Sequence, residues 1–232
     1  MIPVLTPTPP GTDALPPWLW LPAALLALLV AVGSVPLLRR LGEPADEDPE
    51  ILAGKIPYGA LARPRFAIAV AAVASAAMLV AVPRVPLFVQ PAWWVLGSLG
   101  VLLGCIDAVT TWLPATLTRL LWLGTVVGLL IGQPWQQPGA LPRILIGAAA
   151  TGAFFWLVWR ISHGIGFGDV RLAPVLGAVT AAVSIELLIW AMVLGTALGA
   201  LHGLVRLLRG HRGEFAYGPA LLAGPYVALL LG

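Results

Sequence analysis

The sequence predicts an all-α, polytopic membrane protein with about eight transmembrane helices. Three observations predict it. Of 232 residues, 59% are hydrophobic and only 10% are charged, where a soluble domain carries about 25% charged residues. Mean hydropathy is +0.95; a soluble core could not hide so much apolar surface, and lipid removes the need to hide it. Apolar runs also recur along the chain at close to the roughly 20 residues that a helix needs to cross the hydrocarbon.

The runs fall at 18–38, 66–82, 92–107, 116–132, 143–159, 170–188, 189–208 and 215–231. Pro83, Pro86 and Pro91 punctuate one turn, and Pro134, Pro138 and Pro142 another, where each cluster stops one helix and starts the next. The boundary between the sixth and seventh runs is set near Leu188, and residues 210–213 separate the last two. Residues 18–232 are therefore expected to form one membrane-embedded domain. Residues 1–17 contain Asp13 and no Lys or Arg. They lack the basic n-region of a secretory signal and are expected to be a short exported tail.

Placing the N-terminus outside puts Arg39, Arg40, Lys55, Arg63, Arg65, Arg119, Arg160, Arg171, Arg206, Arg209 and Arg212 on the cytoplasmic side. Only Arg84 and Arg143 then face out. The positive-inside rule selects this orientation, and an even number of spans puts the C-terminus outside as well. The cytoplasmic loop 39–65 is the one sizeable polar segment. It carries Glu43, Asp46, Glu47, Asp48 and Glu50 and is too short for a core of its own. A net charge of +3 is too small to point to nucleic acid. The single cysteine, Cys105, allows neither an internal disulfide nor a cysteine metal cage, and no metal or other cofactor is expected.

Ionisable groups in or beside membrane spans are costly and mark function by default. Three acids fit that description: Asp107, Asp169 and Glu186. Asp107 ends a span that runs inward and Asp169 begins one that runs outward, so both lie near the cytoplasmic face. Glu186 lies roughly 25 Å further along, at 1.5 Å rise per residue, and is expected near the outer face. Taken alone, Asp169 reads equally as an acid favoured at a helix N-terminus, and Asp107 as an interfacial cap. The pair at matched depth suits aspartyl proteolysis, in which two carboxyls share one proton. One member then draws a proton from water while the other polarises the scissile carbonyl. A carrier with a proton path would also use paired acids, but such sites tend to lie near the midplane between internal repeats, and no repeat is visible. A catalytically silent scaffold is a third reading.

The residues around the two acids carry a resemblance. The segment GIGFGDVRL, with Gly166, Gly168, Asp169 and Arg171, resembles the Gly-x-Gly-Asp motif of the type IV prepilin peptidases. The stretch IDAVTTWLPATLT, with Asp107, Thr110 and Pro114, is similar to that family's first-aspartate motif. EFAYGPALLAGPYVALL is similar to its closing Phe-Gly-Pro span, with Tyr217-Gly218-Pro219 in place of Phe-Gly-Pro, and Gly33-Ser34 resembles its first-span Gly-Ser. The resemblance implies an eight-helix protease of the bacterial inner membrane that cuts basic leaders from prepilin or pseudopilin substrates at the cytoplasmic face, after a Gly. It implies catalytic roles for Asp107 and Asp169. Arg171 stands where the family has Lys, which keeps the charge but not the geometry.

Two departures limit the transfer. Bifunctional members carry a larger loop after the first span with paired Cys-x-x-Cys motifs, linked to N-methylation of the new pilin terminus. Here that loop has no cysteine, so methyltransferase activity is not expected. Pro36 falls inside the first span. Cys105, His163, His202 and His211 are read as packing or surface residues. Trp18, Trp20, Trp93, Trp94, Trp135 and Trp159 are read as interface anchors. Gly195 and Gly199 form a small-xxx-small pair suited to close packing within the bundle.

Overall fold

The structure, a computed structural model, describes residues 17–42, 55–162, 165–210 and 215–232. Every regular element among them is helical: α1 (Trp20–Arg40), α2 (Pro64–Ala81), α3 (Gln90–Val95), α4 (Val101–Thr110), α5 (Ala115–Gly132), α6 (Ala140–Ser162), α7 (Phe167–Val183), α8 (Ile185–Leu208) and α9 (Gly218–Leu231). A π-helical turn, Leu96–Gly100, joins α3 to α4, so that Leu87–Thr110 is one continuous rod. The acidic residues of the first loop, His163, His211 and Arg212 lie outside the described residues.

Among the described residues, six helical stretches are long and apolar enough to cross a membrane: Pro17–Arg40, Pro64–Ala81, Leu87–Thr110, Ala115–Gly132, Ala140–Ser162 and Ile185–Leu208. The other two rods, α7 and α9, have 17 and 14 residues. Large apolar side chains face outward, including Leu21, Leu25 and Leu29 on α1 and Leu145 and Ile146 on α6. In water such a surface would associate; in lipid it needs no partner.

Proline sets several boundaries. Pro64 opens α2, where its missing N–H costs nothing, and Pro114 precedes α5. Pro36 does not interrupt α1, which continues to Arg40. The sixth and seventh runs part at Ser184 rather than near Leu188. Ser184 is extended (φ −159°, ψ 161°), and its hydroxyl accepts the Leu187 N–H at 3.0 Å. A serine N-cap followed by an acid in the first turn is a helix start, and it overrides the hydropathy, which is continuous there.

Small residues allow the closest crossings. A Cβ on Gly147 of α6 would come within 2.6 Å of the Ala181 Cβ, and one on Gly152 within 2.8 Å of the Pro174 Cγ, both on α7. The Thr151 hydroxyl donates across this seam to the Ala173 carbonyl at 3.0 Å. Gly195 of α8 packs on the Leu221 backbone of α9, and Gly199 on the Tyr217 ring, so the small-residue pair does work inside the bundle. Trp93 is not an interface anchor. It is fully buried and meets Tyr226 edge to face at 5.7 Å.

Candidate active site

Asp107 occupies the last turn of α4. That turn ends at Thr111, which is left-handed (φ 59°), and whose N–H donates to the Asp107 carbonyl at 2.8 Å. Thr110 is buried; its hydroxyl donates to the Ile106 carbonyl at 3.0 Å and accepts the Trp112 N–H at 3.2 Å. Pro114, also buried, accepts the Thr118 N–H at 3.0 Å and starts α5. Thr110 and Pro114 thus shape the reversal after Asp107.

Asp169 lies in the first turn of α7. Gly166 is the cap residue, and its carbonyl accepts the Asp169 N–H at 3.0 Å. A Cβ on Gly166 would stand 3.6 Å from Asp169 Oδ2, and one on Gly168 would meet the Leu113 Cβ at 2.7 Å. Glycine at 168 therefore lets the loop of one acid close against the loop of the other. Arg171 points away: it is exposed, with its guanidinium 4.7 Å from the centre of the Phe167 ring. Its carbonyl accepts the Trp122 indole N–H at 2.8 Å.

The two acids converge on Gly218, the first residue of α9. Its N–H donates to Asp107 Oδ2 at 3.0 Å. A Cβ placed on it would lie 2.8 Å from Asp107 Oδ2 and 3.4 Å from Asp169 Oδ1, so the two carboxylates stand no further apart than those distances combined. Asp107 is 4% exposed and Asp169 5%. Asp169 Oδ1 is buried and has no hydrogen-bond partner among the described residues. Two buried carboxyls at this range cannot both carry charge cheaply. Among the described residues no three His, Cys, Asp or Glu side chains gather as metal ligands would. Glu186 is exposed on the first turn of α8, at the far end of α7 from Asp169.

An apolar cleft of about 400 Å³ opens between α2, α4 and α9. Cys105 and Ala108 line it from the Asp107 helix and Pro219 from beside Gly218. Sequence reasoning had no role for Lys55. Its Nζ lies 4.1 Å from the centre of the Trp112 ring, in the reversal that follows Asp107. The available signal was compositional: Lys55 is the sole lysine in the chain.

Both acids and both motif loops fall inside one stretch that is similar to known proteins. Residues 94–203 match the Type IV leader peptidase family. The leader peptidase match therefore spans Asp107, Thr110, Pro114, Gly166, Gly168, Asp169 and Arg171, and stops short of Gly218. Two curated relatives, each named a prepilin leader peptidase/N-methyltransferase, come from Burkholderia pseudomallei strains 1026b and K96243. Each is 34% identical over 140 residues, covering 56% of this chain and 43% of the relative. The chain thus spans less than half the length of the leader peptidases it matches. No solved structure matches it at a comparable level.

Proposed function

We propose that the chain is an intramembrane aspartyl endopeptidase that removes basic leaders from type IV prepilin-like proteins at the cytoplasmic face of the bacterial inner membrane. The observation that carries this reading is the meeting of Asp107 and Asp169, from two separate motifs, at the Gly218 backbone. In the reaction the ionised carboxylate takes a proton from water as the oxygen attacks the scissile carbonyl. The protonated carboxyl donates to the carbonyl oxygen, and the two exchange roles as the amine leaves.

About eight spans, with both termini outside, put this end of the bundle at the cytoplasmic surface, where the basic leader of a substrate waits. The apolar cleft beside Asp107 suits the chain that continues from the cut into the membrane. The curated relatives are named as methyltransferases as well, but the cysteine-bearing loop tied to that activity is missing here, and we assign peptidase activity alone. A carrier reading is disfavoured by the acids lying at helix ends, not at mid-span.

The test is co-expression of the full chain with a prepilin from the same genome, followed by a gel-shift assay. Loss of the leader only when the chain is present supports the reading. An unshifted prepilin in the presence of well-expressed, membrane-inserted protein overturns it.

A further inference from the structure

Lys55 stands over Trp112, in the reversal that follows Asp107, although it lies outside both acid motifs and outside the stretch that matches the leader peptidase family. The site and its neighbourhood use arginine almost throughout; of thirteen basic residues, this one alone is lysine. It is half-buried and is held from two sides. Downstream, the 3-10 turn Tyr58–Leu61 anchors the strand of chain that carries it, with Tyr58 and Leu61 both buried. On the other side, the ammonium sits over the Trp112 ring, a contact that stabilises a cation on an aromatic face. Trp112 is in turn tied through the Thr110 hydroxyl to the Ile106 carbonyl, on the helical turn that carries Asp107.

The pair needs such a cation. Two carboxyls sharing one proton hold one net negative charge, and burying a charge with no opposite partner is costly. The other cations nearest in sequence to the motifs are turned away: Arg171 lies over Phe167, and Arg119 and Arg160 are exposed. The carboxyls are also unequal. Asp107 Oδ2 accepts the Gly218 N–H, whereas Asp169 Oδ1 has no donor among the described residues.

We infer that Lys55 is the counter-charge of the acid pair, a positioning residue pinned on Trp112 that holds the pair's single negative charge on Asp107. Asp107 is then the resting base, and Asp169 carries the proton that goes to the substrate carbonyl. Lysine suits the place because its compact ammonium is a point charge that rests on an indole without engaging one carboxylate in a two-pronged grip. The inference rests on the peptidase reading for its catalytic consequence but not for its electrostatic one.

Two measurements on the full chain in detergent test it. Lys55→Gln should lower kcat for a basic-leader prepilin about 10-fold or more, the scale of one partly buried charge interaction. KM should stay within about 2-fold, and Lys55→Arg should recover most of the loss. Unchanged kcat in Lys55→Gln overturns the inference, and so does an arginine variant as slow as the glutamine one.

The second measurement is a thermal-unfolding cycle that needs no activity. Lys55→Gln should lower Tm more when Asp107 is present than in an Asp107→Asn background, where only the Trp112 contact is lost. Equal losses in the two backgrounds, or failure to fold in both, would mean that Lys55 only packs on Trp112. If the wild type cleaves nothing, the peptidase reading fails, while this cycle still decides whether Lys55 and Asp107 are coupled.

Discussion

The backbone N–H of Gly218 reaches across 111 positions of sequence to donate a hydrogen bond to Asp107 Oδ2 at 3.0 Å. That contact brings α9 to the acid pair and fixes which residue type position 218 accepts. A Cβ there would stand 2.8 Å from Asp107 Oδ2, closer than real side-chain carbons tolerate. Gly218→Ala is therefore expected to push Asp107 aside and cut leader cleavage at least about 10-fold through misplacement of the base, with the protein still inserted and folded. Steady-state rates beside a Tm comparison check this.

Gly168 makes a second prediction, and it comes with a rescue. Alanine at 168 would drive its Cβ into Leu113, 2.7 Å away, and so wedge the two motif loops apart. Gly168→Ala should lose activity and stability together, by about 1–3 kcal/mol for overpacking. Leu113→Gly removes the obstructing Cβ together with the rest of that side chain, so the Gly168→Ala, Leu113→Gly double variant should be more active than Gly168→Ala alone. A double-variant cycle in which the two losses simply add would show that the loops are not in contact.

The processed product offers a third prediction. With one cysteine in 232 residues, the chain cannot build the paired Cys-x-x-Cys motifs of the bifunctional enzymes. Mass spectrometry of pilin cut by the purified chain, with a methyl donor present, should find an unmethylated N-terminus. A methylated product would place the transfer in another part of the chain.

Glu186 provides a control within the same molecule. It is an acid at a helix start, as Asp169 is, yet it is exposed at the opposite end of α7. Glu186→Gln should cleave substrate at the wild-type rate in the same assay.

How much of this was legible in the sequence depends on what each signal measures. Hydropathy locates apolar length, so all eight runs proved helical. It is blind to a local cap, so the break at Ser184 was placed several residues late, near Leu188. Helix ends can be counted along the chain, which puts Asp107 and Asp169 at matching ends of their helices, and both meet at Gly218. Periodicity could not show that Trp93 turns inward, since its neighbours Ala92 and Trp94 are apolar as well and only tertiary packing, here against Tyr226, buries its ring. Lys55 was missed for a related reason. It lies in a connection between helices, and only the tertiary path of that connection carries it to Trp112. Thr110 and Pro114 entered through resemblance, and their hydrogen bonds give them a physical role in the reversal after Asp107.

The account stands on two carboxyls acting as one unit, and removing either charge tests that most directly. Asp107→Asn and Asp169→Asn keep side-chain shape but destroy the shared-proton pair. In the gel-shift assay with a co-expressed prepilin, each single variant should lose leader cleavage by at least about 100-fold, the low end for a positioned acid–base group, at wild-type levels of membrane-inserted protein. Substantial cleavage by either well-expressed variant would contradict the assignment of the pair.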